Sequence, residues 1–244
     1  MTVATQTVRD IALENPATIR VFEKFGIDYC CGGRKPLTEA CEANSIAVDE
    51  VIAALERAAA EPVPQADNWA GRSLVELVDY IINTHHAYVN QETPRLTQLA
   101  ARVVARHGDT KPELPIIQAK VAELVEELSS HLGKEEMILF PHIVRLERAM
   151  DKGQPAPRGC FGTVSNPIAM MTSEHDSAGT LMAEIRKLSG DYTPPIGACP
   201  TFLNFYNSLR EFEQDLHQHI HLENNILFPK AIALEQGIGS SYQG

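Results

Sequence analysis

An eleven-residue phrase occurs twice in this chain, as HLGKEEMILFP from His131 to Pro141 and as HIHLENNILFP from His219 to Pro229. Both copies read His-x3-Glu-x2-Ile-Leu-Phe-Pro, and they stand 88 residues apart. Each copy continues an apolar seam. The first runs Ile117, Val121, Leu124, Leu128, His131, Glu135, Ile138; the second runs Phe205, Leu209, Phe212, Leu216, His219, Glu223, Ile226. Steps that alternate between four and three keep one face of a helix turned to a core. A histidine and a glutamate four residues apart lie roughly 40° apart around the helix and about 6 Å along it, so both side chains reach one interior point. An unpaired buried carboxylate is strongly unfavourable, so something positive is expected between these helices. A duplicated His–Glu ion pair is the plainer alternative, but such buried pairs seldom improve stability.

The rest of the chain reads as all-α. Asn15-Pro16 is a cap and first-turn signal for a helix through about Phe25. The stretch GIDYCCGGRKP is too rich in glycine to be helical, and VDEVIAALERAAA reads as a last short helix. Prolines and polar residues in EPVPQADNW mark a linker. The expected organisation is an N-terminal helical domain over 1–60, a linker over 61–71, and an antiparallel four-helix bundle over 72–244. Its four segments open at Ser73, with Glu76 completing a capping box, near Pro115, at Asn166-Pro167 and near Pro200. Pro141 and Pro229 fall inside helical patterns and are expected to bend or end those helices.

If the second and fourth segments are repeat partners, the first and third should be too. The third has one histidine, His175, on the seam Met171, His175, Ala178, Met182, Ile185. The first offers both His85 and His86, and periodicity alone does not decide between them. The intervals favour His86, because His86 to His131 is 45 residues and His175 to His219 is 44. Four histidines and two glutamates suit iron or manganese better than zinc, which prefers closed tetrahedral sites. With both glutamates bridging, the protein fills about eight of the roughly twelve positions around two octahedral ions, and open positions imply reactivity. No Glu-x-x-His pair occurs, so the ferritin-like signature is absent. Glu127 and Asp215 each lie four residues before a seam histidine and could take its outward ring nitrogen. Glu174 neighbours His175 and could line access to the site.

The Cys30-Cys31 pair sits in the glycine-rich turn. Neighbouring Cα atoms are about 3.8 Å apart, short of the usual disulfide span, so the two pair with each other only under strain. Arg34, Lys35 and a helix start near Pro36 would favour thiolates that meet a metal, a damaged cluster, Cys41 or a partner thiol; an incidental buried pair is the alternative. Cys160 and Cys199 carry no signal. Five cysteines, an odd count, without a basic-then-apolar leader imply reduced thiols and a cytoplasmic protein. The formal net charge of -11 argues against nucleic-acid and membrane binding.

Taken together, DYCCGG, HHAYVNQETPRL, SSHLGKEEMILFP, SEHDSAG and HIHLENNILFP make the chain similar to the repair-of-iron-centres family, whose bundle resembles hemerythrin. The resemblance covers both parts of the chain. It implies a dimeric, cytoplasmic protein with a non-haem, oxo- or hydroxo-bridged di-iron centre. Its ligands would be His86, His131, Glu135, His175, His219 and Glu223, with carboxylates beside the site at Glu127 and Glu174. The step from His86 to Pro94 also matches the family's pattern. The implied function is repair of iron–sulfur clusters damaged by nitrosative or oxidative stress, by supplying iron or handling nitric oxide. Expected partners are damaged iron–sulfur proteins, nitric oxide and oxygen, with Cys30 and Cys31 in redox or client contact. The alternative is a hemerythrin-like sensor or store for oxygen or nitric oxide. Hemerythrins use one more histidine, however, and His142, His217 and His221 lie off the site.

Overall fold

A computed structural model describes residues 3–59 and 69–241, so most of the expected linker 61–71 lies outside the described residues. Among these residues the regular structure is helical, with two isolated bridges in place of any sheet. Four short helices come first: α1 (Val8–Glu14), α2 (Ile19–Phe25), α3 (Leu37–Ala43) and α4 (Val48–Ala59). The Asn15 side chain accepts from the Ala17 N–H ahead of α2, as a cap before proline should. α2 stops at Gly26, whose φ of 64° is the left-handed position that glycine adopts without strain.

Four long rods follow: α5 (74–107), α6 (113–151), α7 (165–188) and α8 (200–241). The capping box at Ser73 and Glu76 forms. A second glutamate also serves that end, since Glu147 of α6 accepts from the N–H groups of Leu74 and Val75 at 2.7 and 2.8 Å. Its repeat equivalent in α8, Glu235, accepts from Val164 N–H at the head of α7 at 3.0 Å. The duplication therefore extends beyond the quoted phrase. Each odd rod of the bundle is started by a carboxylate from the next one, which satisfies donors a helix leaves unpaired.

Three of the four rods contain a π-helical turn: Ile82–His86, Glu135–Leu139 and Leu222–Leu227. Two of these turns directly precede Pro141 and Pro229. A proline ring crowds the carbonyl four residues back, and a wider turn makes room for it. Of the two expectations for these prolines, bending or ending their helices, the second is corrected, because helix resumes at Phe140 and Phe228. The extra residue also shifts the seam. Ile138, expected inside, is 46% exposed, and Leu139 takes the core position at 1%.

The interior has two apolar clusters separated by a polar layer. One joins α1–α4 to Val89, Leu96, Leu124, Leu128, Phe205 and Phe212; the other gathers Leu77, Ile81, Phe140, Ile143, Met171 and Phe228. α5 packs along α6 and α8, and α6 along α7, whereas α7 and α8 touch little. The N-terminal region settles over that gap. Arg9 donates to the Asn225 carbonyl at 3.4 Å, the Asn225 amide donates to the Tyr29 carbonyl at 3.2 Å, and Tyr29 packs edge-on against His217 and His221.

Candidate metal centre

The polar layer between the two clusters consists of His86 from α5, His131 and Glu135 from α6, His175 from α7, and His219 and Glu223 from α8. All six are at most 3% exposed. Their donor atoms form two groups, His86–Glu135–His219–Glu223 and His131–Glu135–His175–Glu223, with the atoms of each group within 4.8 Å of one another. Both glutamates belong to both groups. The ring nitrogens point inward: His131 Nε2 and His175 Nε2 face each other at 3.0 Å, and His219 Nε2 lies 3.0 Å from Glu223 Oε1. Glu135 Oε2 is 3.3 Å from His131 Nε2 and 3.4 Å from His86 Nε2. Neither Glu135 oxygen nor His86 Nε2 has a hydrogen-bond partner among the described residues.

Burial opposes charge throughout this layer; the neighbouring groups outweigh it at His86, His131, Glu135 and Glu223, whereas at His219 burial prevails and pushes the imidazole below its ordinary range. For Glu223, burial is outweighed by His219 and His175, and its carboxyl lies well below the usual range. For His131, burial is outweighed by the Glu135 carboxylate, and its pKa is pushed up to about 9. Two buried carboxylates facing convergent imidazoles form a layer that a cation would stabilise. Unpartnered inward atoms in a nitrogen-and-oxygen donor set fit metal ions of the iron and manganese type.

The outward Nδ1 atoms show which side chains fix each ring. His86 Nδ1 meets Glu136 Oε1 at 2.8 Å, His131 Nδ1 meets Glu174 Oε2 at 2.9 Å, and His175 Nδ1 meets Asn224 Oδ1 at 3.0 Å. Lys134 pairs with the other Glu174 oxygen. His219 Nδ1 has no partner among the described residues. The expectation for Glu127 and Asp215 is corrected here. Glu127 accepts from Ser177 Oγ at 3.0 Å, and Asp215 meets His85 Nδ1 at 2.9 Å. With Nε2 aimed at the bundle axis, the opposite ring edge faces the neighbouring helix rather than the preceding turn of its own. Glu136 and Asn224 were not anticipated. They follow Glu135 and Glu223 directly and occupy equivalent repeat positions, so aligning the two copies would have singled them out.

His85 is buried beside the layer and stacks on His219 with ring centroids 5.6 Å apart, but lies outside both donor groups. His142 packs against Phe161, and His221 meets the Asn225 amide. Cys30 and Cys31 are free, with sulfurs 3.5 Å apart, and Cys31 Sγ lies 3.9 Å from the His175 carbonyl. The expected thiolate character is corrected for Cys30. Its hydrogen bond with Cys31, its burial and the nearby Asp28 carboxylate all push that thiol well above the ordinary range, and Asp28, not Arg34 or Lys35, is the charge at hand. Cys41 is buried, Cys160 is exposed, and Cys199 Sγ lies 3.5 Å from His107 Nε2.

Two family models match the chain. ScdA_N, described as a domain of unknown function (DUF542), covers residues 4–59, and the hemerythrin HHE cation binding domain covers 77–231. An iron–sulfur cluster repair protein YtfE from Escherichia coli O81 is 38% identical over 231 residues, 94% of this chain and 98% of that one. Proteins of the same name from Escherichia coli O1:K1 and Escherichia fergusonii are 37% identical over the same shares. No described helix is long and apolar enough to cross a membrane. A cation-binding bundle, a four-histidine, two-glutamate layer and an ScdA_N region in one chain agree with this likeness along almost its whole length: the chain belongs to the YtfE family of iron–sulfur cluster repair proteins.

Proposed function

We propose that the buried layer holds two iron ions and that the protein restores iron–sulfur clusters damaged by nitrosative or oxidative stress. The observation that carries this reading is the pair of donor groups sharing Glu135 and Glu223. His86 and His219 would hold one ion and His131 and His175 the other, with Glu135 and Glu223 within reach of both. Two irons so held would supply electron-transfer capacity and open positions for nitric oxide, oxygen or exchange with a client's iron. The protein's own part is to orient the rings through Glu136, Glu174 and Asn224 and to keep bulk water out with apolar layers above and below. Cys30 and Cys31, over the α7–α8 gap, would engage the client, a partner subunit or a reductant. We assign 1–60 to the N-terminal domain, 61–71 to the linker and 72–244 to the bundle, in a cytoplasmic homodimer.

Recovery of a nitric-oxide-inactivated iron–sulfur enzyme tests this. The intact iron-loaded protein should restore activity beyond an equal amount of free ferrous iron, and Glu135→Ala should not. Equal recovery with free iron would move a gas-binding store or sensor ahead of repair.

A further inference from the structure

We propose that Asp28, Cys30 and Cys31 form a third, mononuclear site for a borderline divalent transition-metal ion, separate from the bundle's layer. The three donor atoms lie within 4.8 Å of one another. The sulfurs are 3.5 Å apart and Cys30 Sγ is 3.3 Å from Asp28 Oδ1. Two thiolates on one tetrahedral ion, each at ~2.3 Å, sit about 3.8 Å from each other, so a shift of a few tenths of an ångström suffices. Direct disulfide closure would need the sulfurs to come much nearer, to about 2.05 Å.

The turn holds its carboxylate ready. Asp28 Oδ1 accepts from Cys30 N–H at 3.0 Å and Cys31 N–H at 2.9 Å, and Oδ2 accepts from Gly32 N–H at 2.8 Å. A carboxylate oxygen has two lone pairs, so Oδ1, with the Cys30 thiol as a third donor, is crowded, while Oδ2 accepts only from Gly32 and keeps one lone pair for a cation. Loss of the thiol proton relieves that crowding and turns a donor into a second ligand beside it. Gly33 permits the turn to close, because a Cβ there would lie 2.6 Å from the Tyr29 carbonyl oxygen.

Access and charge agree with this. The group lines a cavity of about 630 Å³ between the N-terminal region and the α7–α8 gap, where Glu23, Asp28, Asp176, Asp191 and Glu213 face Arg186 and Arg210, and Glu213 is paired with Arg186. The remaining excess of carboxylates favours a cation. Two sulfurs and one oxygen suit ferrous iron, cobalt or zinc, and disfavour calcium and magnesium. Three protein ligands leave a position for water, as in exchangeable rather than closed structural sites. On binding, both thiol protons leave to solvent and no electron is transferred.

The inference does not depend on di-iron occupancy, and Co²⁺ is the probe that separates the two. Full-length protein with its bundle already loaded with iron is titrated anaerobically under a phosphine reductant. One equivalent of Co²⁺ should produce sulfur-to-cobalt charge-transfer absorption and release about two protons. Cys30→Ser with Cys31→Ser should abolish the band and leave bundle iron unchanged, and Cys31→Ser alone should do the same should the double variant fold poorly. Asp28→Asn should weaken binding about tenfold, while Glu223→Ala should keep the band. No band in the intact protein, its survival in a cysteine variant, or its loss in Glu223→Ala overturns the proposal.

Discussion

The two copies of the repeated phrase have nearly the same sequence and opposite surroundings. In α6 the stretch after Glu135 faces open solvent, with Met137 at 80% and Ile138 at 46% exposure. In α8 the equivalent Asn225 and Ile226 are both 8% exposed, because the N-terminal region lies over them. The apolar methionine is in water and the polar asparagine is buried. What decides burial here is the presence of a covering segment, and a buried amide is tolerated where its hydrogen bonds are made. The inner halves of the copies differ less: each supplies one histidine and one shared glutamate. Their outer shells diverge again, since His131 is braced by Glu174 and Lys134 whereas His219 rests on the His85 ring.

The largest effect should fall where the copies are most alike. Glu135→Ala and Glu223→Ala should each lose essentially all bound metal by elemental analysis, since each carboxylate belongs to both donor groups. One ion retained in either variant would break the equivalence of the copies. Next come the residues that follow them. Asn224→Ala and Glu136→Ala should each raise the rate or extent of metal loss to a chelator by about 10–100-fold. The Asn224 change should be the larger, because Glu136 is 40% exposed at its side chain and water replaces its contact more readily.

Third, Asn225→Ala should destabilise the protein by about 1–3 kcal/mol in urea unfolding, since it removes the buried amide that bonds both the Tyr29 carbonyl and His221. Met137→Ala at the equivalent position should stay within about 0.5 kcal/mol. A similar cost at both positions would show that the covering region contributes nothing to the α8 copy. Smallest of all, Glu127→Gln should leave metal affinity unchanged in the same chelator competition, because its hydrogen bond goes to Ser177 and not to a ring in the layer. A loss of affinity there would reinstate Glu127 beside the site.

Much of the fold was legible because helix signals are local. The Asn15 and Ser73 caps, the four long rods and the inward placement of His131, Glu135, His219 and Glu223 all follow from short-range pattern. Ile138 was misplaced because a fixed step of three or four assumes uniform α-helix, and one π turn moves every later residue around the axis. The hydrogen-bond partners of the rings were missed for another reason. They lie on a different helix from the histidine they hold, so same-helix spacing points to the wrong carboxylates. The state of Cys30 was misjudged because its thiol is hydrogen-bonded to Cys31 and buried, and Asp28, two residues away, folds back onto the turn, contacts that charge counting along the sequence does not reveal.

Pro229 brings no N–H to the carbonyl four residues before it, that of Asn225, and Arg9 reaches that same oxygen from the N-terminal region. A proton missing from a helix has thus become a socket for another segment. Pro141 prepares the same socket at Met137, on the open flank of α6. A repeat that carries the same proline twice carries the same gap twice, and at Asn225 that gap has become a fastening. Restoring the amide with Pro229→Ala would set a helical donor in competition with the Arg9 guanidinium, so the consequence would be felt in how firmly the two ends of the chain are latched together.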